Sequence, residues 1–349
     1  MRVLITDDSV FMRSAIGRVL GEQRDIEIVG KASDGREAVT LAKSLRPDVI
    51  TLDIEMPEMD GLTALRRIMR EAPTQVLMCS TLTTQGSMQS LQALRLGAAD
   101  VIAKETSSDP AARQRFLDDL IRRVRGLGEH KKQVDAQPPE AEPTPRKPLR
   151  LELRDFDLLC IASSTGGPPV LETLAAALPA DLNLPVVIAQ HMPRMFTEAM
   201  ARRLDELCPL EVVHAQDRMP LKPGRVHVAP GGEHTRIDKL SLNHRQLRTG
   251  PEPVEALYMP SADVLYRSAA QLYGKRTLAI ILTGIGHDGV EGAADLHRAG
   301  ATILAQSRGS CVVYGMPRAV VEAGYATAVL NPDQIAQALQ QLTPRSAAA

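Results

Sequence analysis

The chain contains no tryptophan, and aromatic residues make up only 3% of it. Surfaces that stack nucleic-acid bases interleave aromatic and basic side chains, and no segment here does so. Charge of either sign is not in excess: 41 basic and 42 acidic residues leave a formal net charge of -1. That balance gives no electrostatic case for a nucleic-acid partner or an anionic membrane. Cysteine is sparse, and Cys79, Cys160, Cys208 and Cys311 lie far apart, without disulfide or metal-site spacing. They read as buried thiols in a reducing compartment. No apolar run approaches a membrane span, and a strand pattern begins where a secretory signal would place its apolar core. The expectation is a cytoplasmic protein with no nucleic acid bound and no direct membrane insertion.

What is present is ordinary globular material, 44% hydrophobic and 24% charged over 349 residues, enough for about two domains. Residues 1–126 alternate short β-branched runs with helical patterns five times, which predicts a (βα)5 unit with a parallel sheet. The stretch GLGEHKKQVDAQPPEAEPTPRKPLRLELR follows, dense in proline and charge, and predicts a flexible linker over 127–154. The α/β pattern resumes over 155–344, leaving 345–349 as a tail. There is no internal repeat.

Three carboxylates stand where parallel strands of the first half should end. Asp7 and Asp8 follow Val3-Leu4-Ile5, and Asp53 follows Val49-Ile50-Thr51-Leu52. Ligands of open parallel sheets bind at those carboxyl ends. Clustered carboxylates repel one another, and a hard divalent cation such as Mg²⁺ relieves the repulsion. Solvated helix caps would explain any one of the three, but explain all three together less well. Ser80 ends the fourth strand pattern and Lys104 the fifth, so a hydroxyl and an ammonium can receive the oxygens of a phosphoryl group on Asp53. With Asp53 inside LDIEMPEMDG, these five positions resemble a response-regulator receiver domain. The resemblance implies Mg²⁺-dependent phosphorylation of Asp53 by a histidine kinase, with Asp7, Asp8 and Asp53 as metal ligands. Two positions depart from the family habit: Glu105 follows Lys104 where proline is usual, and Val101 replaces a common aromatic residue.

In the second half, Ser164 lies in Ser163-Ser164-Thr165-Gly166-Gly167-Pro168, between a strand and a helix. Small residues there permit a tight turn, and the helix N-terminus can stabilise an oxyanion or, equally, cradle a phosphate. The next strand, Pro185 to Gln190, ends at His191, one of eight histidines and a possible general base. Gly284-Ile285-Gly286-His287-Asp288-Gly289 matches a dinucleotide-binding pattern. The following strand, however, ends in Gln306, with no acidic residue to hold a ribose, and Asp288 inside the loop would repel a pyrophosphate. An aspartate there can instead orient a histidine. The chain order Ser164, His191, Asp288 differs from that of α/β-hydrolases.

These positions, with Gln190-His191-Met192-Pro193, Pro260-Ser261-Ala262-Asp263 and Ser310 to Pro317, closely resemble the catalytic domain of chemotaxis protein-glutamate methylesterases. A receiver joined by a linker to a doubly wound α/β methylesterase domain is that family's architecture. The resemblance implies Ser164 as nucleophile, His191 as base, Asp288 as orienting acid and the backbone at Ile285 as an oxyanion donor. It further implies phosphorylation-activated hydrolysis of glutamate γ-methyl esters on methyl-accepting chemotaxis receptors, with deamidation of receptor glutamines by the same groups. No cofactor is expected for the hydrolysis. Ser163 adds a neighbouring hydroxyl, His287 adds a second imidazole beside Asp288, and His234 is read as structural. The alternatives are a non-catalytic two-component signalling adaptor and a metal-dependent phosphohydrolase, the latter weakened by the lack of a D-x-D pair on the first strand.

Overall fold

The computed structural model describes residues 1–81, 83–105, 109–136, 155–241, 244–253 and 258–342, in two units, Met1–Pro138 and Pro139–Ala349. In the first unit β1 (Arg2–Thr6), β2 (Glu27–Ala32), β3 (Val49–Asp53), β4 (Gln75–Ser80) and β5 (Asp100–Ala103) alternate with five helices. These are α1 (Val10–Gly21), α2 (Gly35–Leu45), α3 (Gly61–Glu71), α4 (Thr84–Arg95) and α5 (Pro110–Ala136). All pairings are parallel, in the order β2-β1-β3-β4-β5. The strand order reverses between β1 and β3, so their carboxyl ends flank a crevice. Val3, Leu4, Ile5, Val49, Ile50 and Leu52 are buried, as expected of a sheet covered by helices on both faces. Polar caps set the helix starts: Ser9 accepts from the Met12 N–H, Asp34 from Arg36 and Glu37, Asp60 from Thr63, and Thr83 from Gly86.

One expectation needs correction. The sequence pattern predicts a linker from residue 127, yet α5 runs on to Ala136. Leu120, Val124 and Leu127 continue one helical stripe and are each fully buried, and Gly128 packs against the Met1 side chain. That burial outweighs the weak helix propensity of Gly126 and Gly128. The remainder of the expected linker, 137–154, and the tail at 345–349 lie outside the described residues.

The second unit is built on seven strands, β6 (Leu158–Ser163), β7 (Val186–Gln190), β8 (Glu211–His214), β9 (Arg225–Val228), β12 (Thr277–Ile281), β13 (Thr302–Gln306) and β14 (Ala328–Leu330). They pair in parallel in the order β14-β13-β12-β6-β7-β9-β8. The chain winds outward from β6 in one direction and returns through β12 on its other side, which is the expected doubly wound arrangement. Helices α8 (Ala262–Leu272), α9 (Val290–Arg298) and α10 (Met316–Glu322) share a core with β6, β12 and β13 through Leu265, Tyr266, Leu296 and Met316. Helices α6 (Gly167–Ala176), α7 (Arg194–Leu207) and α11 (Pro332–Gln340) pack in a second layer. An antiparallel hairpin, β10 (His234–Lys239) with β11 (Arg245–Gly250), stands outside the main sheet and was not anticipated. Each of its strands turns one central apolar residue, Ile237 or Leu247, into the core beside α8. All four cysteines are free and buried, as the sequence suggested.

The core of this unit carries a pH liability. His227 on β9 is fully buried, and its Nδ1 bonds the Val186 carbonyl at 3.1 Å. Burial pushes His227 down to about 4, because the charged imidazolium would lose its hydration there and the carbonyls of Val186 and Pro220 offset only part of that loss. With the folded value depressed below the unfolded 6.5, the stabilising contribution is full above 6.5 and drains away as pH falls toward 4. The cumulative loss is roughly 3 kcal/mol. Urea unfolding of His227→Gln is expected to lose stability less steeply than the wild type between those limits; parallel slopes would remove His227 as the cause.

Candidate active site and acidic centre

At the crevice of the first unit, Asp7, Asp8 and Asp53 each offer an oxygen within 4.8 Å of the others, with Asp7 and Asp53 buried and Asp8 exposed. Lys104 is buried with them, its Nζ 2.8 Å from Asp7 Oδ2 and 2.6 Å from Asp53 Oδ2. Burial pushes Asp53 up to about 6, against the opposing charge and hydrogen bond of Lys104 and with some help from the Asp7 charge. For Lys104, burial works to lower the ammonium, but the two carboxylates overcome it and hold the group above its ordinary range. Three hard oxygen donors with a net negative charge suit a divalent cation of the Mg²⁺ kind. Ser80 is buried at the neighbouring strand end, but its hydroxyl donates to the Gly86 carbonyl at 3.2 Å and so faces the first turn of α4. Four of the five expected residues thus meet directly, and the fifth lies beside them with its hydroxyl otherwise engaged. Val101, where the family habit is aromatic, is buried in the core.

In the second unit, β6, β7 and β12 are the three adjacent strands at the switch in strand order; Ser164 and His191 directly follow β6 and β7, and Asp288 lies in the glycine loop that leads from β12 to α9. The His191 N–H donates to the Ser163 carbonyl at 3.1 Å, and the Ser164 N–H to the Thr283 carbonyl at 3.0 Å, so the three strand ends are laced together. The two neighbouring hydroxyls are now distinguished. Ser163 is fully buried and donates to Gln190 Oε1 at 2.5 Å, while Gln190 Nε2 donates to the Ser164 carbonyl at 2.8 Å. Ser163 and Gln190 therefore hold the turn that presents Ser164.

Asp288 is the most densely bonded carboxylate of the crevice. Its Oδ2 accepts from His191 Nε2 at 2.8 Å and the Ala262 N–H at 2.6 Å; its Oδ1 accepts from Ser261 Oγ at 2.8 Å and the Asp263 N–H at 3.2 Å. Burial would raise this carboxyl, but the hydrogen bond and charge of His191, with the donors from Ala262 and Ser261, hold it well below the usual range. Two of those donors are first-turn amides of α8, so the positive end of the helix faces the charge. Asp263 moves the other way, pushed up by burial and by the Asp288 charge.

Since an ionised Asp288 can only accept, the proton of the imidazole sits on Nε2. His191 Nδ1, buried and without a hydrogen-bond partner, is then the basic nitrogen. His287, next to Asp288 in sequence, is exposed and does not compete for it. His234 is buried, and its Nδ1 accepts from the Ser261 N–H at 3.3 Å, which braces the helix cap. Sequence reasoning did not assign roles to Ser261 or Gln190; the signal was there, because Ser261 precedes a helix and Gln190 sits one residue before His191.

The glycine loop closes the crevice. The Gly284 N–H is committed to the Val313 carbonyl at 3.0 Å, while the neighbouring Ile285 N–H makes no bond among those described. A Cβ on Gly284 would lie 2.7 Å from Ser164 Cβ and press on the Met316 side chain. Gly284→Ala is therefore expected to displace Ser164 and lower turnover by about 100-fold. A thermal melt of the same variant should fall only a few degrees. Unchanged turnover would mean that the loop has room to yield.

A family profile described as CheB methylesterase matches residues 159–339, and one described as response regulator receiver domain matches residues 3–112. Protein-glutamate methylesterase/protein-glutamine glutaminase 2 of Nitratidesulfovibrio vulgaris is 40% identical over 359 residues, covering 97% of this chain and 98% of its own. The protein-glutamate methylesterase/protein-glutamine glutaminase of Lawsonia intracellularis is 39% identical over 348 residues, covering 96% and 97%. The crystal structure of the Thermotoga maritima CheB methylesterase catalytic domain aligns with 53% of this chain and 98% of its own, at 37% identity and a TM-score of 0.51.

Proposed function

The chain belongs to the CheB methylesterase family and carries a response-regulator receiver domain, and from that premise we propose that it hydrolyses glutamate γ-methyl esters on chemotaxis receptors under control of Asp53 phosphorylation. The observation that carries the reading is the pairing of His191 Nε2 with a four-fold hydrogen-bonded Asp288 at the strand end beside Ser164. It supports a serine mechanism over a non-catalytic adaptor, because an imidazole fixed in one tautomer by a buried carboxylate, with its other nitrogen unpartnered, is the arrangement a general base needs.

Ser164 Oγ attacks the ester carbonyl while His191 Nδ1 takes its proton; Asp288 holds the Nε2–H tautomer and stabilises the imidazolium. The developing oxyanion is received by the Ile285 N–H. His191 then protonates departing methanol, and water, activated by the same nitrogen, releases the glutamate and regenerates Ser164. With a glutamine side chain the leaving group is ammonia, which gives deamidation by the same steps. No cofactor takes part in this sequence.

In the first unit, Asp7, Asp8 and Asp53 would hold Mg²⁺, which when bound offsets the negative charge that opposes phosphoryl transfer to Asp53. Lys104 stays against Asp53 and receives the phosphoryl oxygens, and the Ser80 hydroxyl turns from Gly86 to join it. A histidine kinase is the donor. The two halves are coupled as two sites with two states, the unphosphorylated receiver restraining access to Ser164. Among the described residues no helix is long and apolar enough to cross a membrane, and the reading places the protein in the cytoplasm, acting on the cytoplasmic part of its receptors.

Methanol release from membranes bearing methylated receptors tests the activity, and ammonia release from unmodified receptors tests deamidation. The full-length protein with a phosphodonor is expected to produce the first, faster than without the donor. Absence of methanol under verified phosphorylation would reject the esterase reading.

A further inference from the structure

Of the few aromatic residues in this chain, one lies flat against the base. The Tyr258 ring stacks on the His191 imidazole with centroids 4.4 Å apart and planes 4° from parallel. We propose that Tyr258 is a positioning residue for His191: its ring fixes the imidazole plane and stabilises the imidazolium that forms when Ser164 gives up its proton. The inference rests on the esterase reading above and adds to it a residue outside the triad.

Three observations support it. Asp288 engages the imidazole at one point only, Nε2, which leaves rotation about that hydrogen bond unconstrained. A face-on ring removes that freedom and keeps Nδ1 in its buried, unpartnered position. Second, the stack forms within the crevice itself: Tyr258 is wedged between His191 and the glycine loop. A Cβ on Gly286 would come 2.8 Å from the tyrosine hydroxyl, so the absent side chain is what admits the ring. Third, the segment that bears Tyr258 is tied down from outside, since the Met259 carbonyl accepts from the Gly232 N–H at 3.2 Å. A ring face carries negative electrostatic potential, so the contact gains strength when the imidazole becomes a cation and acts more in the transition state than in the resting enzyme.

The test compares Tyr258→Phe, which keeps the ring, with Tyr258→Leu, which keeps apolar bulk without a π face, both in the full chain. Methanol release is expected to show kcat within about 2-fold of wild type for Phe and lowered about 10-fold for Leu, with KM little changed in either. In parallel, proton NMR of the histidine ring C–H groups, assigned by loss of the signal in His191→Gln, reports the stack whether or not turnover is seen. The ring current of Tyr258 should shield those protons in wild type and Phe, and the shielding should vanish in Leu. Equal kcat for all three proteins, or Phe falling as far as Leu, would overturn the positioning role while the esterase reading stands. A Leu effect confined to KM would assign Tyr258 to substrate contact and overturn it likewise. If wild type itself releases no methanol while the shielding is present, the esterase reading fails, and the positioning role falls with it.

Discussion

Ser164→Ala is expected to lower kcat for methanol release by about 10⁴-fold or more while leaving the thermal melt nearly unchanged. The hydroxyl is not part of the lacing that holds the crevice, which runs through the Ser164 backbone and through Ser163 and Gln190. Ser163→Ala should therefore reverse the pattern, with a measurable loss of stability and residual turnover, since it empties a buried hydrogen bond to Gln190. Asp288→Asn should approach the loss of Ser164→Ala, and the geometry gives the reason. All four partners of Asp288 are donors, namely His191 Nε2, Ser261 Oγ and the amides of Ala262 and Asp263. An asparagine has one acceptor oxygen and one NH₂, so its NH₂ must face donors or force the His191 proton onto Nδ1, which removes the base. Stopped assays of methanol against receptor-bearing membranes decide it. Turnover within 10-fold of wild type in Ser164→Ala would move the nucleophile elsewhere.

The second large effect concerns control. For the wild-type chain, a small phosphodonor with Mg²⁺ is expected to raise methanol release by about 10-fold or more, the scale of a coupling of 1–3 kcal/mol. In Asp53→Ala the ratio of rates with and without donor should fall to one. The proposed acceptor has a distinct setting: Asp53 is buried against Lys104 and lifted to about 6, so at neutral pH it is ionised yet weakly solvated. Lys104→Ala should still take up phosphate, more slowly, and should lose the response, because the ammonium that bridges Asp7 and Asp53 is the group best placed to sense a new phosphoryl oxygen. Radiolabel incorporation measured beside methanol release separates the two steps. Equal stimulation in wild type and Asp53→Ala would detach the receiver from the esterase.

Much of this was legible because both sheets place their chemistry at strand ends. Short β-branched runs followed by Asp7, Asp53, Ser164 and His191 are visible without any tertiary knowledge, and Asp288 stands out because an acid is wrong for the dinucleotide loop it imitates. The hairpin of β10 and β11 was not legible, since His234–Lys239 and Arg245–Gly250 each carry one central apolar residue, too few to show alternation. The overrun of α5 was hidden by two glycines whose cost is outweighed only by burial of Leu127 and packing on Met1. Ser164 is favoured over Ser163 by the Thr-Gly-Gly that follows it, but the engagement of Ser163 by Gln190 is a contact between strands, and the stack of Tyr258 on His191 is likewise tertiary. The turned-away Ser80 hydroxyl is a rotamer, which no spacing encodes.

The position of β12 has a consequence for how the protein comes into being. It pairs with β6 on the side opposite β7, so the wall of the crevice that carries Asp288 is supplied by a strand made long after the one that precedes Ser164. A nascent chain that has left the ribosome only as far as β11 holds Ser164 and His191 but has nothing to orient the imidazole. Closing so distant a pairing is slow compared with forming local turns. If Asp288 orients His191 as proposed, hydrolysis is therefore expected to await the emergence and pairing of β12, after the whole receiver has been made.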